Sequence, residues 1–365
     1  MNKTLIALAL LGAASGAAMA QSSPSSSITL YGIVDVGLGQ TPAVGQSKIG
    51  VQSNGIVNNS NSRIGLTGAE DLGGGVKVGF RFEGNVNLAT GAAGNGGPVN
   101  GPTTWSREAN VYISSDNTGT LKLGRSFAPG FDTDDLWELT DEANYSVIAN
   151  TYGFGGSPFL RNNAQIEYLS PNLAGFKAEI AYVPSANAGL LEGGYAIPNR
   201  TNRWDAGLSY QAGPAIVALA INKANKTDRV NAPGSDRTNY SLGGQYKFGT
   251  SFAVTASYHH ANTAQQWSNN LANGAGAAVF AKRYGYALGG SAFLGPFVLT
   301  LELTHDTKND IYTDSSGNHK KYTNGMLEAK YNMSKRTFLF ANYQRLDGTN
   351  NYGLGICHAF NWDGA

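Results

Sequence analysis

The sequence has little charge, almost no cysteine and no long apolar run beyond its first residues. Charged residues make up 14% of the 365, where an average soluble domain has about 25%. The 26 basic residues are matched by 25 acidic ones, and no basic tract marks a nucleic-acid-binding surface. Only residues 4–20 approach the run of about 20 apolar residues that a membrane-spanning helix needs. These absences exclude a polytopic helical membrane protein and argue against a nucleic-acid partner.

The start of the chain is typical of a secretory signal peptide. Lys3 supplies the positive charge, Leu5–Leu11 the apolar segment, and Ala18–Ala20 the small residues of a cleavage site. A membrane anchor is the alternative, but the apolar stretch is short. We therefore expect cleavage after residue 20, with 21–365 forming a single domain. The lone cysteine, Cys357, excludes an intrachain disulfide.

After the signal, the dominant pattern is a strict alternation of apolar and polar residues. In Val76–Glu83, every even position is apolar and the odd positions hold Lys, Gly, Arg and Glu. Such a period of two predicts a strand whose two faces meet different environments. Gly, Asn, Asp, Ser and Pro separate one such segment from the next, as expected of turns and loops.

Sixteen segments follow this pattern, and the connections between them alternate between long and short. An even number of strands, short turns on one side and long loops on the other are the signature of a bacterial transmembrane barrel. The sequence therefore predicts an all-β fold, a 16-stranded antiparallel transmembrane β-barrel. The predicted strands are 28–38, 63–70, 75–84, 107–115, 119–126, 163–170, 174–183, 203–212, 213–223, 237–247, 252–260, 283–293, 296–306, 321–331, 336–346 and 351–360.

The faces of these strands predict which surroundings each one meets. One face is apolar and aromatic and the other polar, which fits lipid outside and water inside; a soluble β-sandwich would need charged outer faces. Sixteen strands also leave room for an aqueous channel. Aromatic residues near strand ends are expected at the membrane interfaces: Tyr31, Tyr168, Tyr182, Tyr258, Tyr331 and Tyr343.

The connection 127–162 carries the densest acidic cluster in the chain. An exposed, solvated loop is one interpretation, and a loop that folds into the barrel and narrows it with carboxylates is the other. The acids are Asp132, Asp134, Asp135, Glu138, Asp141 and Glu142.

Basic residues on the neighbouring strands favour the inward-folded loop. By alternation, Arg63, Lys77, Arg81 and Arg161 point to the polar face of their strands. Arg125 follows Leu121 and Leu123 in parity, so only a β-bulge would turn it inward. A basic wall opposite an acidic loop would create a transverse field, which tunes ion selectivity in channels.

Several motifs resemble those of one family, the general diffusion porins of Gram-negative outer membranes, especially the β-proteobacterial type. Ile28–Asp35 resembles their first strand, Ser62–Gly73 their second strand and turn, and Leu123–Arg125 the entry to their constriction loop. Arg161–Asn163 resembles the start of the following strand, and Ser334–Thr337 the turn before the last two strands.

The resemblance implies a homotrimer of 16-stranded barrels with the third loop folded inside as a constriction. Arg63, Arg125 and Arg161 match the family's constriction arginines. Phe360 matches the final aromatic residue that acts as an assembly signal, although Asn361–Ala365 follow it here, and Cys357 stands where the family usually has arginine.

These observations predict an outer-membrane porin that filters ions and small hydrophilic solutes by size and charge during passive diffusion. No enzymatic activity, no cofactor and no metal site are expected. The expected partners are two further copies of the chain, outer-membrane lipid and lipopolysaccharide. Two alternatives stay open: a substrate-selective porin, for which Tyr145, Tyr152 and Phe154 would suggest sugars, and a barrel adhesin or receptor that binds through its outer loops.

Overall fold

The computed structural model describes residues 26–97, 101–141, 143–155, 160–185, 202–229, 232–265, 280–312, 314 and 316–361. Residues 1–25, with the predicted signal peptide, lie outside this part of the chain. No helix within it is long and apolar enough to cross a membrane.

Sixteen strands in the described part of the chain form one closed antiparallel barrel, which confirms the predicted fold class. Each predicted segment is a strand, and several strands are longer than predicted. The barrel strands are β1 (Ser26–Thr41), β2 (Arg63–Gly73), β3 (Val76–Asn85), β4 (Glu108–Ser115), β5 (Gly119–Phe127), β6 (Arg161–Leu169), β7 (Phe176–Val183), β8 (Arg203–Ala212), β9 (Ala215–Arg229), β10 (Ala232–Phe248), β11 (Phe252–Gln265), β12 (Phe280–Leu294), β13 (Phe297–Asn309), β14 (Thr323–Asn332), β15 (Thr337–Leu346) and β16 (Thr349–Phe360).

The barrel closes because β1 pairs with strands on both of its sides. Ile33 lies opposite Arg63 of β2, and Gly32 lies opposite Phe360 of β16. Near its end β1 also pairs with a short additional strand, Gln46–Gln52. Every strand of the ring thus has a neighbour on each edge, which satisfies the backbone hydrogen bonds that lipid cannot.

Short turns join the strands at one end of the barrel. The turn between β2 and β3 has Gly73, Gly74 and Gly75 at φ of +81°, +61° and +77°. Residues with a Cβ rarely adopt this left-handed region. The loops at the other end are mostly longer, although β15 and β16 are joined by Asp347 and Gly348 alone, both at positive φ.

The outward faces of the strands are apolar and the inward faces are polar, as the alternation predicted. In β13, Leu299, Leu301 and Leu303 are exposed, whereas Thr300 and Glu302 between them are buried. Five of the six aromatic residues expected at the membrane interfaces point outward. The expectation was wrong for Tyr31, which shares the inward parity of Asp35 and donates a 3.1 Å hydrogen bond to Glu83.

The connection between β5 and β6 folds into the barrel, as predicted; its described residues, 128–141, 143–155 and 160, are here named the inner loop. It contains helices α1 (Pro129–Asp135) and α2 (Val147–Tyr152). The ring of Trp137 occupies the space that a Cβ at Gly243 of β10 would need, and the Tyr152 hydroxyl does the same at Gly285 of β12. Because Gly243 and Gly285 have no side chain, the inner loop can pack closely against the inner wall.

A substitution at the closing seam tests the barrel. A Cβ at Gly32 would overlap the Arg63 carbonyl oxygen and the Phe360 ring. We expect Gly32→Val to reduce the folded fraction severalfold, measured by the heat-modifiable mobility of the refolded barrel on electrophoresis. Gly290→Val is the matched control, because the nearest atom to a Cβ there is 3.8 Å away. Equal folding of the two variants would contradict this seam.

Candidate functional site

Two acids of the inner loop fasten it to the wall and do not line the channel. Asp134 is 2% exposed and accepts hydrogen bonds of 2.7 Å from the Gly155 amide and from the Ser241 hydroxyl. Glu138 is 3% exposed, accepts a 2.7 Å bond from the Thr140 amide and shares a hydrogen bond with Glu302. The expectation that these two face the arginines was wrong. Successive residues of a helix point about 100° apart, so a run of acids cannot all face the lumen.

Asp135 and Asp141 are the inner-loop acids that are open to the lumen. Desolvation within the barrel raises the pKa of Asp135 to about 7, and the negative charges of Asp141 and Glu138 add to this. The pKa of Asp141 is also raised, again first by desolvation. Asp135 therefore carries less negative charge near neutral pH than a free carboxylate does. Glu142 lies outside the described residues.

Asp132 occupies a third position, half-buried where α1 meets β6 and β7. Its carboxylate lies beside those of Glu167 and Glu179, with Lys122 nearby. Of the predicted acids, two therefore hydrogen-bond the loop to itself and to the wall, two are exposed to the lumen, and Asp132 lies against the wall.

Aromatic side chains of the inner loop belong to its packing. Tyr145 and Tyr152 are fully buried and Phe154 is 8% exposed. The Tyr145 hydroxyl donates to Glu328, and the Tyr152 hydroxyl donates to the His305 carbonyl at 3.0 Å. They do not line a solute path, so the sugar-binding suggestion that depended on them was wrong.

The wall that the inner loop leaves uncovered carries the basic residues, and Glu83 of β3 is their main acidic partner. Arg63 lies 3.8 Å from its carboxylate, and Arg107, just before β4, donates to it through Nε. Arg107 also donates to Asn85 Oδ1 at 3.2 Å. The Tyr31 hydroxyl also donates a hydrogen bond to this carboxylate. Glu83 therefore holds two guanidinium groups on one carboxylate.

Arg81 lies beside this group and has its own acidic partner. Its Nη1 is 3.5 Å from Glu108 Oε1, and its guanidinium carbon lies 5.7 Å from the centre of the Tyr31 ring. Asn110 donates to the other oxygen of Glu108 at 3.0 Å. The inward direction predicted for Arg81 is therefore what the structure shows.

Arg125 lies opposite a β-bulge, the feature that the sequence required near it, and its charge acts on Arg161. The pairing of β5 with β6 changes register between Gly124 and Ser126, so Asn163 and Ala164 together oppose Arg125. Ala164 has a φ of +49°. Arg125 donates to the Ser106 carbonyl at 2.8 Å and to Asn163 Oδ1.

The same bulge breaks the alternation that was used to place Arg161. Its guanidinium carbon lies 3.9 Å from the centre of the Phe127 ring, and Phe127 stacks on Phe131 of α1 at 4.2 Å. Its charged neighbours include Arg107 and Arg125. Arg161 thus joins the basic wall through an aromatic stack at the base of the inner loop, and not through the parity argument.

Lys77 is not brought to this group. It pairs in register with Asp71 near the β2–β3 turn and is exposed. Four residues separate it from Arg81, about 13 Å along an extended strand. Lys77 lies on the inward face of its strand, as its position in the alternation indicated. It lies nearer the β2–β3 turn than the arginines do, and so does not join them.

Three residues of the site were missed by sequence reasoning. Glu83 and Arg81 share one parity in β3, which was visible, but the acid was not joined to the arginines. Arg107 directly precedes β4 and Glu108 is its first residue; after a long loop, the alternation does not show which face of the strand these residues take. Their positions become clear only when β3 and β4 are paired, with Glu83 opposite Glu108.

Two further residues singled out from the sequence lie on β16. The Phe360 ring covers Gly32 at the closing seam. Cys357 is 4% exposed and packs with Ile33, Tyr145 and Phe340 beneath the inner loop. The thiol therefore packs in this cluster, with the Asp35 carboxylate as a hydrogen-bonded neighbour.

The barrel interior therefore holds a group of guanidinium groups on its wall and an inner loop whose Asp135 and Asp141 are exposed to the lumen. A solute that crosses the barrel meets these fixed charges. Such an arrangement sorts ions and polar solutes by charge without a chemical step.

The family model described as Gram-negative porin matches residues 7–351. Outer membrane porin protein 32 of Delftia acidovorans is 32% identical, with 98% of this chain and 92% of the relative covered. An outer membrane porin of Bordetella pertussis is 28% identical over 99% of this chain and 100% of its own length.

Two solved structures share the fold. The anion-selective porin from Comamonas acidovorans matches with a TM-score of 0.68 and 23% identity, covering 92% of this chain and 100% of that porin. OmpT of Vibrio cholerae in its trimer form gives 0.59 and 14%, covering 92% and 100%. With these matches, the closed barrel and its charged interior, the chain belongs to the Gram-negative porin family and is an outer-membrane channel for passive diffusion.

Proposed function

We propose that Arg63, Arg81, Arg107, Arg125 and Arg161 form the charge filter of this channel and make it prefer anions. The observation that carries the proposal is the clustering of these guanidinium groups on one part of the wall. Arg63 and Arg107 both lie on the carboxylate of Glu83, and the positive charges of Arg107 and Arg125 act on Arg161.

The facing loop supports the same sign of selectivity. Asp135 and Asp141 are open to the lumen, but desolvation raises the pKa of each. Lys330 and Lys247 are charged neighbours of Asp141. The negative charge of the loop therefore offsets only part of the positive charge of the arginines. Small hydrophilic anions then meet a lower electrostatic barrier than cations do.

We also propose three features that the sequence analysis led us to expect. The chain is a homotrimer, residues 1–20 are removed on export, and Phe360 serves as the assembly signal. Membership of the porin family supports each of these, and the outer surface of the barrel is apolar, as contact with lipid or with further copies of the chain requires.

We further propose that the protein is a channel and has no enzymatic role. His305 and Asp306 are the adjacent pair that could resemble a catalytic site. His305 points outward and contacts the Thr323 hydroxyl at 2.8 Å, whereas Asp306 points inward and accepts from Arg283 at 2.9 Å. The two side chains lie on opposite faces of β13 and cannot act together.

The filter is tested by removing one arginine charge. We expect Arg125→Gln to lower the chloride-to-potassium permeability ratio by about twofold or more, because the transverse positive field weakens. The ratio is obtained from the reversal potential in a planar bilayer under a KCl gradient. Lys77→Gln is the matched control and should leave the ratio unchanged. Equal effects of the two variants, or no effect of Arg125→Gln, would contradict the proposal.

A second prediction concerns pH. Because the pKa of Asp135 is about 7, its carboxyl is mostly ionised at pH 8 and mostly neutral at pH 6. Loss of this negative charge should raise the anion preference as the pH falls across that range. Asp135→Asn should start at the higher value at pH 8 and show a smaller change. A preference that falls on acidification would show that the inner loop does not act in this way.

A further inference from the structure

Three carboxylates from separate parts of the chain meet where the inner loop touches the wall. They belong to Asp132 of α1, Glu167 of β6 and Glu179 of β7, and one oxygen from each lies within 4.8 Å of the other two. A calcium ion binds carboxylate oxygens at about 2.3–2.6 Å, so ligands on opposite sides of it are about 4.6–5.2 Å apart. The spacing of these oxygens therefore fits a single calcium ion.

The hydrogen bonds around Glu167 leave one of its oxygens for a ligand. Lys122 Nζ lies 3.0 Å from Oε2, and Gln165 donates to the same oxygen at 3.1 Å. Oε1 is buried and has no hydrogen-bond partner among the described residues, on a side chain that is fully buried. A buried carboxylate oxygen without a partner is costly, and a cation would remove that cost.

Glu179 repeats this feature on the next strand. Its Oε2 is also buried and has no partner in the part of the chain that the structure describes. Two strands thus direct unsatisfied carboxylate oxygens toward the same small region, which α1 closes with Asp132.

The charges at this place are unbalanced. Three carboxylates are grouped around one ammonium group, that of Lys122. The pKa of Asp132 is raised well above its usual range, first by burial and then by the charges of Glu179 and Glu167. Like charges this close repel strongly in a partly desolvated site, so either protons or a cation must occupy the group at neutral pH.

We propose that Asp132, Glu167 and Glu179 bind one calcium ion per chain and thereby tie α1 of the inner loop to β6 and β7. Hard divalent cations with oxygen ligands suit three carboxylates, and calcium accepts several protein carboxylates in a flexible geometry, whereas magnesium usually keeps several waters and binds only one or two carboxylates. The sequence predicted no metal site, because its ligands come from segments that only the closed barrel brings together.

The test is calcium binding to the full-length mature protein, refolded in detergent without lipopolysaccharide and freed of metal with a chelator. Isothermal titration with calcium chloride should show one saturable site per chain, with a dissociation constant in the range of about 0.1–1 mM. Glu179→Gln should weaken this binding by about tenfold or more, because it removes a charged ligand. Glu70→Gln is the matched control, since Glu70 is an exposed glutamate of β2, and it should bind as the wild type does.

Asp132→Asn provides a second variant that leaves every barrel strand intact. It should weaken binding as Glu179→Gln does, and heat-modifiable mobility verifies that each variant is folded. The proposal is overturned if the wild type shows no saturable calcium binding, which would mean that protons alone balance the group. Equal binding by Glu179→Gln and Glu70→Gln would overturn it as well.

Discussion

The pairing of every strand edge is the constraint on which the rest of this molecule depends. Lipid offers no hydrogen-bond partners to the backbone, so the sheet must close, and β1 achieves this by pairing with β2 on one side and β16 on the other. A closed sheet with an apolar exterior sends the alternate side chains into the interior. Sixteen strands make that interior too wide for wall side chains to fill, and water and a polar loop occupy it.

The inner loop divides the interior charges into two groups with different tasks. Asp134, Glu138 and Tyr145 make buried hydrogen bonds that fix the loop against the wall. Their polar atoms are then used in structure and offer little charge to the lumen. In the proposed filter, the arginines on the uncovered wall give the channel its preference for anions. Packing of the loop and selectivity are thus two results of one arrangement.

The sequence predicted the strands and the inward loop, because alternation and turn residues are local signals. It failed where a side chain's direction depends on pairing between strands. The register change at Asn163 and Ala164 altered the alternation that had been used to place Arg161, and Glu83 became the partner of two arginines only after β2, β3 and β4 were placed side by side. Helical phase likewise separated Asp134 from Asp135, a difference that a run of acids does not reveal.

An open pore narrowed by the inner loop is the central claim, and single-channel conductance in KCl with neutral polymers of graded size tests it most directly. The account predicts stable open steps that small polymers reduce, and that polymers above one size leave unaffected because the constriction excludes them. Absence of current from correctly folded, inserted protein would contradict it. So would a conductance that large polymers reduce as strongly as small ones, since the pore would then lack a constriction.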